Sequence, residues 1–106
     1  MHYYGNETIM SLEAVLALRP NEVRILEWVR TYEFLENKYG LDDPVNHFLD
    51  IRIEPDGVRI RKNAITDFPD YVTENEELHP DVETALPIFI GWAQEILAKL
   101  EQEENQ

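Results

Sequence analysis

Apolar residues recur along the chain at three or four positions, then at every second position, then at three or four again. A spacing near 3.6 marks one face of a helix, and a spacing of two marks one face of a strand. The order predicts helices, then a β-hairpin, then a helix.

A short helix is predicted over residues 12–19, with Leu12, Val15 and Leu16 on one face. Ser11 is placed to cap it, because its hydroxyl can accept from an orphan amide of the first turn. Pro20 ends it, since a residue before proline is pushed out of the α region. Pro20 then suits the first position of a second helix. That helix is predicted over residues 20–39, with Ile25, Trp28, Val29, Tyr32, Leu35 and Tyr39 forming one broad stripe. Gly40 and Leu41 supply the helix-ending glycine and its hydrophobic contact. Val23 and Phe34 project from the opposite side, where packing on the first helix would bury them.

In the hairpin, Leu49, Ile51 and Ile53 alternate with Asp50, Arg52 and Glu54, and Val58 and Ile60 alternate with Arg59 and Arg61. Between them Glu54-Pro55-Asp56-Gly57 has strong turn chemistry: Pro55 fixes φ and Gly57 tolerates positive φ. A hairpin alone is marginal. It must lie on the helices or gain a third strand, from residues 2–9 or 70–73. The last helix is predicted over 81–103, with Val82, Leu86, Phe89, Ala93, Ile96, Leu97 and Leu100 on one face and a frayed tail at 102–106. Pro87 either kinks this helix or begins it after a short turn. A long connection over 63–80 joins hairpin to helix. The expected fold is α+β: a single domain of two N-terminal helices, a small antiparallel sheet and a long amphipathic C-terminal helix.

Length changes this picture little. A chain of 106 residues is one ordinary domain, able to bury roughly 60–70% of its unfolded surface without staples. It has no cysteine, so disulfide and thiolate chemistry are excluded. The first residues lack a basic and apolar leader, and no apolar run approaches the roughly 20 residues of a membrane helix. A cytoplasmic protein with no membrane association is expected.

Charge changes the picture more. Nine basic against 22 acidic residues give a net charge of −13. Residues 1–62 carry 11 acids and eight bases, whereas residues 63–106 carry 11 acids and only Lys99. Such a chain repels phosphate, so no direct nucleic-acid partner is expected. A protein with a basic surface is the natural electrostatic partner. Solubility alone also accounts for acidic composition.

The chemistry-bearing residues form no motif. His2, His47 and His79 show no zinc-ligand spacing. Asp42 and Asp43 precede Pro44, which reads as a capped turn and not as a calcium loop. The four glycines are isolated, and Ser11 is the sole serine. No cofactor, metal or catalytic residue is assigned, and a non-enzymatic protein is expected. A small enzyme or metal-binding protein would instead require His47, His79 or paired carboxylates to converge in a cleft.

The candidate binding segment spans residues 67–83, with seven acids and no base. Asp67, Asp70, Glu74, Glu76, Glu77, Asp81 and Glu83 supply charge, and Phe68 and Tyr71 supply apolar anchors. The same residues permit a plainer role, with Phe68, Tyr71 and Val72 pinning the segment to the core while the acids are solvated. The leading expectation is a protein-binding module for a basic surface, with an inhibitor, immunity or anti-defence protein as its sharpest form. An accessory or assembly factor docking through apolar surface is the alternative.

Overall fold

A computed structural model of the protein describes residues 7–32, 47–67 and 70–104. In chain order it contains β1 (Thr8–Ile9), α1 (Leu12–Leu16), α2 (Pro20–Leu26), β2 (Trp28–Tyr32), β3 (His47–Glu54), β4 (Gly57–Asp67), β5 (Asp70–His79) and α3 (Val82–Glu104). Among the described residues the sheet has five strands, in the order β1-β2-β3-β4-β5. β1 runs parallel to β2, and every other neighbouring pair is antiparallel.

The two helix starts follow from local chemistry. The Ser11 hydroxyl accepts from the Ala14 amide at 3.2 Å, capping α1. Pro20 occupies the first turn of α2, where its missing N–H costs nothing. The Glu22 carboxylate accepts from the Arg19 amide at 2.8 Å, satisfying a second group at the same terminus.

The predicted helix over 20–39 is overturned in its middle. α2 stops at Leu26, and Glu27 takes a left-handed conformation with φ of 68°. Its amide still closes the helix on the Val23 carbonyl, while its own carbonyl accepts from Ile53 of β3 at 2.8 Å. The chain therefore leaves the helix already joined to the sheet. Residues 28–32 satisfy both periods, because Trp28, Val29 and Tyr32 match a helical stripe while Val29 and Thr31 alternate with Trp28, Arg30 and Tyr32. Pairing with β1 and β3 decides for the strand, which buries Val29 and Thr31 completely. Ile25, assigned to the apolar stripe, is 80% exposed because α2 ends one residue later. Phe34, Leu35, Tyr39, Gly40, Leu41 and the turn at Asp43-Pro44 lie outside the described residues, as does His2.

The hairpin is present and longer than its alternation suggested. β3 and β4 pair from Glu54↔Gly57 to His47↔Ala64, so Pro55 and Asp56 form a two-residue connection. Gly57 has φ of +148°, and a Cβ there would sit 2.5 Å from the His79 carbonyl oxygen. Only glycine meets both demands. The sheet is extended on both sides: Thr8–Ile9 adds to β2, and residues 70–79 add to β4. The span 63–80, expected as a connection, is therefore mostly strand.

α1, α2 and α3 pack on one face of the sheet. The core joins Leu12, Val15, Leu18 and Val23 of the N-terminal segment to Val29, Leu49, Ile51, Val58 and Ile60 of the sheet. Val82, Ala85, Leu86, Phe89, Ala93 and Ile96 of α3 close it. Val23, on the outer side of the predicted wheel, is fully buried in this core. α3 runs as one helix through Pro87 to Glu104. Proline withholds one amide from the Glu83 carbonyl, but Pro87 and Glu83 are both exposed, so water can replace it. No helix of the described residues is long and apolar enough to cross a membrane.

Candidate partner-binding edge of the sheet

β5 is the last strand of the sheet, and every residue from Asp70 to Leu78 is exposed. Its register fixes which way each side chain points. His79, Glu77 and Asn75 lie beside Val58, Ile60 and Lys62, and so share the helix-bearing side. Leu78 and Glu76 lie beside Arg59 and Arg61 on the opposite side. The register shifts between Lys62 and Asn63, leaving Glu74 as an extra residue on β5. Beyond the shift, Thr73 and Tyr71 again lie on the helix-free side, where the Thr73 hydroxyl donates to the Asn63 side-chain oxygen at 2.8 Å.

The predicted acidic segment is thus two sites. Glu74, Glu76 and Glu77 stand on an exposed strand. Asp81 and Glu83 stand at the start of α3, where the Asp81 carboxylate accepts from the Thr84 amide at 2.9 Å and from its hydroxyl at 2.8 Å. Those bonds hold the Asp81 carboxyl below its ordinary pKa. Glu83 pairs with Arg24 of α2. Asp70 is exposed and faces Asp67 across the end of the β4–β5 pairing. Phe68 lies outside the described residues.

Three of the β5 carboxylates, Glu74, Glu76 and Glu77, have partners within the protein. Glu76 accepts from Arg59 at 2.7 Å, and Arg59 also reaches Glu54 at 2.9 Å. Glu54 first, then Glu76, holds the Arg59 pKa above its ordinary value. Glu77 lies 2.8 Å from His79, and Glu74 lies 3.5 Å from His47. Tyr71 packs edge-on against Phe48 at 5.0 Å between ring centres, which ties the strand to the helix-free face. Tyr71, Val72 and Leu78 are nevertheless 41%, 53% and 45% exposed.

Behind this edge lies a polar network that single-residue motifs do not signal. Asp50, at the centre of β3, is 1% exposed on the face away from the helices. Arg61 donates to it twice, Nε at 3.1 Å and Nη2 at 2.7 Å. The Trp28 indole donates at 3.2 Å, and Arg30 stands 3.7 Å away. The Asp50 bonds hold the Arg61 pKa above its ordinary value against the opposing effect of burial. Arg30 lies 4.5 Å over the Phe48 ring and 5.2 Å from the Trp28 ring, and Arg52 lies 4.6 Å from the Trp28 ring. Cations and aromatic rings therefore alternate across this face. The one available signal is register: a two-residue turn at Pro55-Asp56 places Asp50 opposite Arg61.

His47 and His79 lie beside Ala64 and Val58, six residues apart on β4, hence roughly 20 Å from each other. Among the described residues no three His, Asp or Glu side chains are grouped to hold a metal ion. An open groove of about 810 Å³ lies beside the α1–α2 turn, lined by Arg19, Asn21, Glu22, Arg24 and Glu83 among others. Arg24 there is already bonded to Asn21 and Glu83. Comparison with protein families, with curated proteins and with solved structures finds no match in any of the three.

Proposed function

We propose that the protein is a non-enzymatic binding module that engages a basic surface of another protein, and that it acts by occlusion. The observation carrying this reading is the row of carboxylates on β5, exposed on the last strand of the sheet among the described residues, with no Lys or Arg among residues 70–79. Exposed carboxylates interact weakly with their own neighbours in water. The same groups gain once a basic partner approaches and the local dielectric falls. Lys and Arg that normally contact nucleic acid or substrate would then be covered, which is how an inhibitor or immunity protein works.

Tyr71, Val72 and Leu78 favour a second reading, docking of an accessory or assembly factor through apolar surface on the same strand. The two readings separate by salt. Charge-led association slows as the Debye length falls to about 8 Å, while apolar docking barely changes. The test is affinity capture from the native host, followed by binding kinetics of the captured partner. Wild type and a Glu74→Gln, Glu76→Gln, Glu77→Gln variant are compared across a salt series. A slower on-rate for the variant at low salt supports the electrostatic reading. Equal on-rates at every salt overturn it in favour of apolar docking.

A further inference from the structure

We infer that β5 takes an extended, basic segment of its partner as a sixth strand. The inference rests on the binding reading above and adds the mode of recognition. Its ground is the backbone. A strand at a sheet edge presents a row of peptide N–H and C=O groups on its outer side, ready to pair with another chain. Among the described residues no strand lies beyond β5, and the exposure of all nine residues from Asp70 to Leu78 leaves that side open. The opposite edge, β1, has only two residues and offers no comparable length. Peptides recognised by strand addition gain affinity from backbone bonds and specificity from alternate side chains.

Charge selects the occupant. A second copy paired antiparallel through the whole of β5 would gather four carboxylates from each strand along one joint, with Glu77 of each diagonal to Glu74 and Asp70 of the other and no Lys or Arg to offset them, which disfavours that pairing. An acidic strand is refused for the same reason. A strand alternating Lys or Arg with β-branched residues sets all its bases on one side of the sheet, and on the helix-bearing side they meet Glu77. The β-branched residues between the bases then fall on the helix-free side, where Leu78 and Tyr71 offer apolar surface beside Glu76. The shift at Glu74 divides β5 into two regular stretches, so pairing is expected over Asn75–His79 or over Asp70–Thr73.

The test uses the intact chain with three synthetic peptides, each about as long as β5. One alternates lysine and threonine, one alternates glutamate and threonine, and one is the lysine peptide with alternate backbone nitrogens methylated. Affinity is measured by titration, and amide hydrogen exchange is followed along β5. The inference expects the lysine peptide to bind and to slow exchange of β5 amides. The methylated peptide, equal in charge, should bind about tenfold more weakly, the loss expected from one or two net backbone bonds. Equal binding of the two lysine peptides without added protection overturns strand addition and leaves charge-led contact standing. Equal binding of the glutamate and lysine peptides, or of neither, overturns the basic-partner reading itself. Protection of β5 that rises with protein concentration alone identifies a second copy as the occupant and overturns the choice made here.

Discussion

Asp50 and Glu76 are carboxylates on the same face of one sheet, two strands apart, and each meets an arginine of β4. Their surroundings make them opposites. Asp50 is 1% exposed and collects Arg61, the Trp28 indole and the charge of Arg30. Glu76 has a 44% exposed side chain and holds one arginine that Glu54 also holds. A buried ion whose partner is removed is left uncompensated, at about 3–5 kcal/mol, whereas an exposed pair contributes about 0–1 kcal/mol. The net charge of −13 therefore says little about which carboxylates are available to a partner. Position in the sheet decides it: the central strand uses its acid internally, and the edge strand displays its acids.

The largest expected effect tests the first half of that contrast. Asp50→Ala should lower stability by about 3–5 kcal/mol, because Arg61 and the Trp28 indole lose their acceptor inside a covered face. Denaturant melts measure it. Combining Asp50→Asn with Arg61→Gln should recover part of the loss, since the Arg61 charge is removed with its acceptor and Arg30 keeps Glu7 at 3.2 Å. An Asp50→Ala variant as stable as Glu76→Ala would erase the distinction between centre and edge.

Next comes the link between the hairpin turn and β5. Gly57→Ala places a Cβ against the His79 carbonyl and forces a side-chain-bearing residue to φ of +148°. A residue held in such a region costs about 1–3 kcal/mol. Thermal melts should show that loss, and hydrogen exchange should show the His79 end of β5 opening first. A variant of unchanged stability would mean that the edge strand is not held at this turn.

How much of this was legible in the sequence depends on which period dominated each segment. The Leu49–Ile60 alternation and the Glu54-Pro55-Asp56-Gly57 turn mark the hairpin without competition. The turn even specifies the Asp50–Arg61 pair, because residues summing to 111 face each other across it. The caps at Ser11 and Pro20 and the long apolar face of α3 are equally local. Trp28–Tyr32 carries both periods, and pairing with β1 and β3, invisible locally, settles it as strand. Residues 70–79 show the opposite difficulty. Neither face of this strand is buried, so it has no apolar alternation, and its acids suggest a solvated loop. Charge alone marks the acids of the candidate site, but their division between a strand and a helix cap follows only from the fold.

A smaller effect tests the second half of the contrast. Replacing Glu74, Glu76 and Glu77 by Gln should change stability by no more than about 0.5 kcal/mol, with a slight rise as easily as a fall. Three charges leave an exposed strand, and the carboxylates' contacts with His47, Arg59 and His79 are solvated. Melts at low and high salt measure this, and a difference that shrinks with salt is expected. A loss comparable to Asp50→Ala would show that the edge acids hold β5 in place, and would remove them from the partner surface.

The smallest effect sharpens the contrast by separating burial from hydrogen bonding. Asp81 is fully exposed, yet its carboxylate accepts two bonds from Thr84 at the start of α3. Those bonds favour the charged form, so its folded pKa lies below its unfolded value of about 3.9. A depressed carboxyl contributes stability above the unfolded pKa and loses it as pH falls through the folded one. Asn caps a helix nearly as well as Asp but does not titrate. The melting temperatures of wild type and Asp81→Asn should therefore differ by a small, constant amount from neutral pH down to about pH 4. Below that the difference should close as Asp81 takes up its proton. All other acids are common to both chains, so the difference isolates this one. A gap unchanged down to pH 2 would mean that the cap does not depend on charge, and that helix-end carboxylates belong with the weakly engaged acids of β5. A gap that closes places Asp81 between the two extremes: exposed like Glu76, but committed to the fold like Asp50, and so set apart from the β5 carboxylates displayed to a partner.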